Sequence, residues 1–398
     1  MPNATSDPDR NPSSAPAWGS AVAALAALAV AIGIGRFAFT PILPMAQDDY
    51  GFSVTEAGWL ASANYVGYLV GALSSIGMRL QPTIAIRAGL VVIGASTLAM
   101  GLRYEFMLWL VLRATAGVAS AWVLVFVSTW ALERLAAAGR SDLEGVVYAG
   151  VGTGIVIAGG ACLVAMTLHT RSSEAWLFLG VISIVVSASI WPLVKPHPSS
   201  APAAAPESGT PASWTGEFWR LVRCYGVFGF GYIIPATFLP LMAKQIIPDP
   251  QLFGWAWPLF GAAALVSTLF VARLKQFLSH RNVWIGGHFV MAIGVVIPLI
   301  DPGLAGIMIA ALLVGGTFMV VTMAGMQEAR RVAGIDARAL MAAMTSAFAL
   351  GQLFGPIVVS ALVQATGGFA PVLMSAAAVL VLSALSLMRF AATKGDRM

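Results

Sequence analysis

Gly33-Ile-Gly-Arg-Phe-Ala-Phe-Thr-Pro-Ile-Leu-Pro44 is an apolar stretch with an arginine near its centre, and most of the architecture of this chain follows from it. It lies inside a longer apolar segment, residues 20–45, yet two glycines and two prolines interrupt it. Lipid cannot hydrogen-bond the backbone groups that such a break frees, so protein or a water-filled cavity must do so. A charge at the bilayer centre costs about 3 kcal/mol on insertion scales, and such residues usually face the interior of a helix bundle. We therefore place Arg36 at the centre of a functional site.

The same pattern recurs 196 positions later in the chain. Gly229-Phe-Gly231-Tyr232 through Leu239-Pro240 matches the first stretch at both glycines, the leucine and the proline, and Tyr232 takes the position of Arg36. Further matches at this offset are Gly58-Trp59 with Gly254-Trp255, Arg79 with Lys275, and Gly159 with Gly355. A constant shift indicates a parallel duplication, and interrupted apolar segments at matching places in two halves point to the binding site of a transporter.

The composition excludes a soluble protein. The chain has 398 residues, of which 59% are hydrophobic and only 10% charged, whereas soluble domains carry about 25% charged residues. The net charge of +5 does not indicate nucleic-acid binding, because the basic residues lie in short loops. Cys162 and Cys224 fall in apolar segments and read as buried small hydrophobes, without disulfide or metal spacing. The sequence predicts no metal site and no cofactor.

Apolar runs long enough to cross a bilayer recur along the chain. They predict an all-α membrane protein with twelve transmembrane helices in two six-helix bundles, residues 18–194 and 216–390. The predicted spans are 20–45, 56–78, 83–102, 106–132, 143–168, 175–194, 218–243, 252–272, 283–300, 303–327, 339–364 and 369–390. Residues 1–17 and 391–398 are predicted to be cytoplasmic tails, the first of them disordered, and the Pro-, Ala- and Ser-rich residues 195–215 a cytoplasmic linker.

The distribution of basic residues predicts the orientation. Of the 22 lysines and arginines, seventeen fall on the cytoplasmic side when both termini are placed there. Arg36 and Arg113 lie within spans, and three lie outside: Arg103, Arg171 and Lys244. This asymmetry satisfies the positive-inside rule.

A twelve-span chain with parallel halves resembles the major facilitator superfamily over residues 18–390. The likeness is carried by Arg113-Ala-Thr-Ala-Gly117-Val-Ala-Ser-Ala121 and by the glycine-rich fifth span, although the antiporter proline and the full basic loop after span two are missing. More narrowly, Gly33-Ile-Gly-Arg-Phe37 and Ala57-Gly-Trp-Leu-Ala-Ser-Ala-Asn-Tyr-Val-Gly-Tyr68 resemble YbfB/YjiJ-type facilitators of bacteria. The resemblance implies an inner-membrane carrier and neighbouring spans one, two and four, but no particular substrate.

Depth along the helices brings three polar residues to one layer. At 1.5 Å per residue, Arg36, Asn64 and Arg113 lie roughly 14, 12 and 11 Å below the outer surface. We expect them to bind the solute together with Tyr232 and Gln352. For Arg36, Arg113 and Asn64 a structural role remains open, namely hydrogen bonding to freed backbone or between helices. For Tyr232 the alternative is simple packing.

Other features favour structural roles. Tyr65 and Tyr68 are expected to pack or to lie at the interface, and His288 to be peripheral. Trp59, Trp109, Trp176 and Trp255 are expected to form an aromatic belt at the outer ends. Glycine pairs at four-residue spacing, such as Gly67 with Gly71 and Gly150 with Gly154, predict close helix approach.

These observations predict secondary transport of a small solute by alternating access, by a monomer in the lipid bilayer. The solute is expected to be an organic anion, because two arginines share one layer and no Asp or Glu lies in the interior of a span. The alternatives are an efflux carrier for neutral sugar-like or drug-like solutes and a non-transporting receptor or scaffold. A membrane enzyme is disfavoured because the spans lack a cluster of titratable or nucleophilic groups. Glu56 is the candidate coupling residue, although the solute could also carry its own proton or be exchanged for another anion.

Overall fold

The structure is a computed structural model that describes residues 14–51, 54–196, 216–246, 254–274, 277–366 and 370–395. Helices account for nearly all of these residues, and no β-strand occurs among them. The predicted all-α fold is therefore confirmed. The predictions for residues 1–13, 197–215 and 396–398 lie outside the described residues. Thirteen α-helices occur within the described ranges: α1 Ser14–Leu28, α2 Phe39–Tyr50, α3 Val54–Gly77, α4 Pro82–Leu102, α5 Phe106–Ala137, α6 Glu144–Thr167, α7 Ser172–Ile190, α8 Gly216–Ile246, α9 Ala256–Leu274, α10 His280–Ile300, α11 Leu304–Ala333, α12 Ala337–Thr366 and α13 Ala370–Gly395.

Helices α1 and α2 form one interrupted segment, joined by a π-helix over Ala29–Ile34 and a turn. Helix α1 begins at Ser14, inside the predicted tail, and α13 continues to Gly395. Eight segments of the described chain are long and apolar enough to cross a membrane, and one of them, Leu304–Gly355, contains both α11 and most of α12. The count of twelve crossings remains a prediction.

Helix packing in the second half of the chain repeats that in the first. Helix α1 packs on α5 and α6, α3 on α5, and α4 on α5 and α7. Counting α1 and α2 as one segment, the same pairs return six segments later: α8 on α11 and α12, α9 on α11, and α10 on α11 and α13. Between the halves, α3 packs on α12 and α6 packs on α9. This symmetric pairing is the arrangement that a parallel duplication produces.

Glycines allow the closest helix contacts. A Cβ added at Gly67 or Gly71 would overlap the backbone of α5, and one at Gly150 or Gly154 would overlap the backbone of α1 and the π-helix. Both predicted close approaches are therefore confirmed. The backbones come near enough for dispersion contacts, which hold helices together where lipid removes the hydrophobic driving force.

The two ends of the bundle, the Tyr50 end and the Arg330 end, differ in the side chains that they bury. At the Tyr50 end, where α2 finishes and α5 begins, the Tyr50 and Tyr104 rings stack with centroids 4.3 Å apart, and Trp109 packs edge-on against Trp176 at 6.1 Å. Trp59 and Trp255 are exposed there, in agreement with an aromatic belt, but Trp109 and Trp176 are buried. The belt prediction is wrong for those two, because Trp109 packs against Tyr50, Tyr104 and Trp176 inside the bundle.

The Arg330 end, where α5 finishes, carries the buried ionic groups. Arg281 pairs with Glu217 and, at 2.7 Å, with Glu328, which also receives Arg331 at 2.7 Å. These pairs join α8, α10 and α11 within the second half of the chain.

Hydrogen bonds cross between the halves at the Arg330 end, where Thr129 Oγ1 donates to Met341 Sδ at 3.9 Å. Gln327 Nε2 donates to Glu144 Oε2 at 2.7 Å, and Arg330 Nη1 donates to the Leu132 carbonyl at 2.6 Å. A cavity of about 1160 Å³ lies beside these bonds, lined by residues of both halves.

His288 is buried in the core of the second half; that its span is peripheral in the bundle and that its ring faces away from the cavity stay predictions. Its Nε2 accepts a hydrogen bond from Trp284 Nε1 at 3.0 Å, and its ring packs beside Phe228. The contacts of His288 are thus with α8 and its own helix. Cys162 and Cys224 are buried free thiols, as expected.

Candidate functional site

The break in the first segment is a π-helix followed by a tight turn. Gly35 N donates to Val30 O at 2.8 Å and Phe37 N to Ile32 O at 3.2 Å, each five residues back. Wide turns of this kind occur frequently at functional sites. The turn lies in the sequence Gly33–Pro44, so the interruption predicted there is confirmed.

One face of α5 hydrogen-bonds the carbonyls of the break. Ser120 Oγ donates to Ala31 O at 2.7 Å. Two turns earlier on α5, the Arg113 guanidinium donates to Gly35 O and Arg36 O at 3.5 Å. These contacts supply the partners that lipid cannot.

Arg113 and Asn64 donate their hydrogen bonds to backbone carbonyls. Arg113 also donates from Nε to Leu60 O at 3.4 Å and lies over the Phe39 ring at 4.6 Å. Asn64 Nδ2 donates to the Arg113 carbonyl at 2.9 Å. The three polar residues predicted to share a layer are therefore in contact. The hydrogen bonds of Arg113 and Asn64 go to backbone, which is the structural role left open for them, and they connect α3, α5 and the break.

Arg36 is different, because its side chain reaches from the first half to the second. Its Nη2 donates to Gln352 Oε1 on α12, and the residue is only 4% exposed. Among the side chains that the structure describes, its Nε has no hydrogen-bond partner. The guanidinium carbon lies within 6 Å of four aromatic ring centroids: Tyr68 at 4.0 Å, Tyr65 at 5.5 Å, Phe37 at 5.6 Å and Phe348 at 5.9 Å.

No carboxylate contacts Arg36 in the described part of the chain. The buried carboxylates Glu144 and Glu328 bond other residues at the Arg330 end. A buried guanidinium without a counter-ion is unfavourable unless dipoles, water or an anion compensate it. The Nε–Nη2 edge of Arg36 has the fork geometry that matches a carboxylate, and the neutral oxygen of Gln352 occupies half of it.

Tyr232 and Gln352 face the same region from the second half. Tyr232 is 0% exposed, and its ring stacks on Phe318 with centroids 4.9 Å apart. It lies 6.2 Å from the Phe348 ring, which also contacts Arg36, so the Arg36 guanidinium and the Tyr232 ring lie within about 12 Å of each other. Neither the Tyr232 hydroxyl nor Gln352 Nε2 has a hydrogen-bond partner among the described residues.

Glu56 lies in the first turn of α3, at the Tyr50 end and roughly 12 Å along the helix from Asn64. There it acts on Tyr104: burial is the main cause that raises the pKa of the Tyr104 phenol, and the negative charge of Glu56 adds to it. In the described residues, no group of three or more His, Cys, Asp or Glu side chains is arranged to hold a metal ion.

Tyr68 and Phe348 are the site residues that sequence reasoning missed. Tyr68, expected only to pack or lie at the interface, is the closest ring to the Arg36 guanidinium. Tyr68 follows Asn64 by one helical turn, so a shared helix face was the signal available for it. Phe348 precedes Gln352 by four residues and is placed by the same rule.

The Arg36 side chain is almost fully buried, between a large cavity at one end of the bundle and a small one at the other. The cavity at the Arg330 end is not lined by Arg36. At the Tyr50 end, the space where α2, α6 and α9 meet is about 30 Å³, room for no more than a few water molecules. The arrangement is a buried, partly unsatisfied polar site between two halves, with a larger cavity on one side.

The chain is similar to a family of known proteins and to a bacterial relative. A family model described as "Uncharacterised MFS-type transporter YbfB" matches residues 28–388. A Bacillus subtilis (strain 168) protein described as "Uncharacterized MFS-type transporter YceJ" is 26% identical over 279 residues, which are 65% of this chain and 68% of that protein.

Proposed function

Because this chain belongs to the YbfB-type family of MFS transporters, and is therefore a multi-pass membrane protein, we propose that it moves a small organic anion across the bacterial inner membrane by alternating access. The solute binds between two six-helix bundles, residues 18–194 and 216–390, at a site made by Arg36, Gln352 and Tyr232. Asn64 and Arg113 support the site through the backbone.

The observation that carries the proposal is the uncompensated charge of Arg36 at the junction of the halves. Its guanidinium is hydrogen-bonded to two neutral groups, the Gln352 amide oxygen and the Tyr68 hydroxyl, and no described carboxylate contacts it. An anionic solute supplies the missing counter-charge, and the planar fork of arginine binds a carboxylate through two hydrogen bonds. When the solute is bound, Gln352 is displaced and its amide N–H group, which lacks a partner now, donates to the solute.

Alternating access is supported by the difference between the two ends. The Arg330 end holds a cavity of about 1160 Å³, whereas the halves are packed together at the Tyr50 end. We propose that the Arg330 end faces the cytoplasm, and the charge asymmetry of the loops supports this orientation. In this orientation, a cysteine introduced at Ser199 in the predicted linker is labelled only from the cytoplasmic side. Labelling of this cysteine from outside in intact cells would contradict the proposed orientation.

The coupling proposed here uses no carboxylate at the site. The described acidic residues lie at helix ends, and Glu56 lies about 12 Å along its helix from the Arg36 layer. Either the solute carries its own proton, or one anion is exchanged for another.

A neutral sugar-like or drug-like solute is the second candidate. It is favoured by the four aromatic rings around Arg36, because ring faces stabilise a cation without any anion. On this alternative, Arg36 only bridges the halves.

Binding to the purified full-length protein in lipid nanodiscs separates the candidates. The panel consists of carboxylic acids, sugars, amino acids and cationic drugs, measured by calorimetry and followed by uptake into proteoliposomes. We expect carboxylates to bind, and we expect Arg36→Lys to lower their affinity at least tenfold, because lysine cannot make the bidentate contact. Arg87→Lys is the matched control, since Arg87 bonds the Trp191 and Val194 carbonyls away from the site. Binding of neutral compounds alone, or normal carboxylate transport by folded Arg36→Lys, contradicts the proposal.

A further inference from the structure

The region between Arg36 and Tyr232 has two features that the charge of Arg36 does not explain. Aromatic rings line it on the side of the second half, and several buried polar atoms in it have no partner among the described residues. Those atoms are Arg36 Nε, Gln352 Nε2 and the Tyr232 hydroxyl. Buried polar groups are nearly always hydrogen-bonded, so three such atoms in one region indicate a ligand that is polar at more than one point.

The rings are stacked rather than randomly packed. Tyr232 lies 4.9 Å from Phe318 with an angle of 15° between the rings, and Phe318 lies 5.4 Å from Phe260 at 28°. Phe260 continues to Trp257 at 5.2 Å and 4°. These four rings form an aromatic column, a name used below for Tyr232, Phe318, Phe260 and Trp257. At the Tyr232 end the column continues to Phe348, whose ring lies 6.2 Å away at 19°. A flat solute ring can take the place of Phe348 there with the same stacked geometry, whereas a saturated ring cannot stack on Tyr232.

We propose that the transported solute is an aromatic carboxylate with a hydroxyl group on its ring. This inference rests on the proposed function and names the class of anion. The carboxylate takes the Nε–Nη2 edge of Arg36 and displaces Gln352 Oε1. The ring stacks against the aromatic column, and its hydroxyl pairs with the Tyr232 hydroxyl. Arg36 and Tyr232 lie within about 12 Å of each other, so one small solute can reach both.

A packing role for the column makes a different prediction. Phe37 of the first half lies edge-on to Trp257 at 6.1 Å and to Phe318 at 5.9 Å, and these contacts close the Tyr50 end. If the column only seals that end, it contributes nothing to recognition, and a saturated ring binds as well as an aromatic one. The experiment therefore compares the two rings directly.

Four probes are titrated into the full-length protein in nanodiscs by calorimetry: 4-hydroxybenzoate, benzoate, cyclohexanecarboxylate and 4-hydroxybenzamide. We expect 4-hydroxybenzoate to bind about fivefold more tightly than benzoate, the gain from one hydrogen bond between neutral groups. Benzoate is expected to bind about fivefold or more tightly than cyclohexanecarboxylate because of stacking. The uncharged amide is expected to bind at least a hundredfold more weakly than 4-hydroxybenzoate, because it lacks the charge that Arg36 requires.

Tyr232→Phe tests the hydroxyl. It is expected to remove the preference for 4-hydroxybenzoate over benzoate, so that the two affinities of the variant agree within twofold. Tyr225→Phe is the matched control: it is another buried tyrosine on α8, with its hydroxyl bonded to Thr322, and it should preserve the preference. If Tyr232→Phe does not fold, the ratios measured on the wild type decide the question.

The outcomes separate this inference from the proposed function. Equal affinity for cyclohexanecarboxylate and 4-hydroxybenzoate overturns the aromatic class and leaves an organic anion carrier. Binding of the amide as tight as that of 4-hydroxybenzoate overturns both. Absence of measurable binding by 4-hydroxybenzoate overturns the inference, and the wider panel of carboxylates then decides the proposed function.

Discussion

Arg113→Lys tests whether the second buried arginine binds solute or holds the backbone. The substitution keeps the positive charge but removes the planar fork that reaches several acceptors at once. In the structure the guanidinium donates to three carbonyls, those of Leu60, Gly35 and Arg36, at 3.4 to 3.5 Å. An ammonium group on a shorter stem keeps at most one of these contacts.

The magnitude follows from the number and length of these bonds. Distances of 3.4 to 3.5 Å are at the outer limit for hydrogen bonds, so each contact is weighted at the weak end, about 1 kcal/mol. Losing two of three acceptors therefore lowers the free energy of unfolding by about 2 kcal/mol. Because Arg113 has no contact directed toward the region between Arg36 and Tyr232, the affinity for a carboxylate should fall less than threefold.

Equilibrium unfolding in mixed detergent micelles measures the stability, and calorimetry in nanodiscs measures the binding. Arg103→Lys is the control, because Arg103 is an exposed arginine between α4 and α5 and its replacement should change neither quantity. An Arg113→Lys protein with unchanged stability and at least tenfold weaker carboxylate binding would refute the structural role and make Arg113 a solute ligand.

Three further predictions concern packing, buried charge and coupling. Glu328→Gln should lower the free energy of unfolding by about 3 kcal/mol, because the Glu328 side chain is only 1% exposed and pairs with two arginines. The control Asp142→Asn changes a carboxylate that is 60% exposed and should cause no measurable loss of stability. Equal effects of the two substitutions would contradict the buried ionic network. Gly154→Ala should destabilise the protein by about 1–3 kcal/mol, because the added Cβ would overlap the backbone of the π-helix. Gly160→Ala is the control, since there is open space around Gly160, and it should not change the stability. Equal unfolding midpoints of the two variants would refute the close contact. Glu56→Gln should leave solute exchange and any solute-driven proton movement in proteoliposomes unchanged, and loss of proton movement alone would show that coupling depends on this carboxylate.

Several features of the site followed from sequence because they depend only on position along a helix. The rise per residue is constant, so counting from a span end placed Arg36, Asn64 and Arg113 in one layer, and the structure brings them into contact. The glycines and prolines between Gly33 and Pro44 marked the break for a similarly local reason, since they disturb the backbone hydrogen bonds of their own helix.

Other features depend on rotation about the helix axis and on the identity of the neighbour, and these were not accessible. Trp109 and Trp176 have the depth of an aromatic belt but turn inward against each other. His288 has the sequence position of a peripheral helix, yet its ring reaches Phe228 in the core of the second half.

What the sequence by itself determined was the helical class, the duplication, and the depth of the polar residues, because apolar length, repeat offset and rise per residue are properties of the chain alone. Only the tertiary structure decided that Arg113 donates to carbonyls while Arg36 crosses to Gln352, 316 residues away. Both are arginines at similar depth in apolar helices, and local pattern does not distinguish them. The difference arises from which surface each helix turns to its neighbours: α5 turns Arg113 toward the freed backbone of the break, whereas the break turns Arg36 toward the other half, where no described carboxylate compensates its charge.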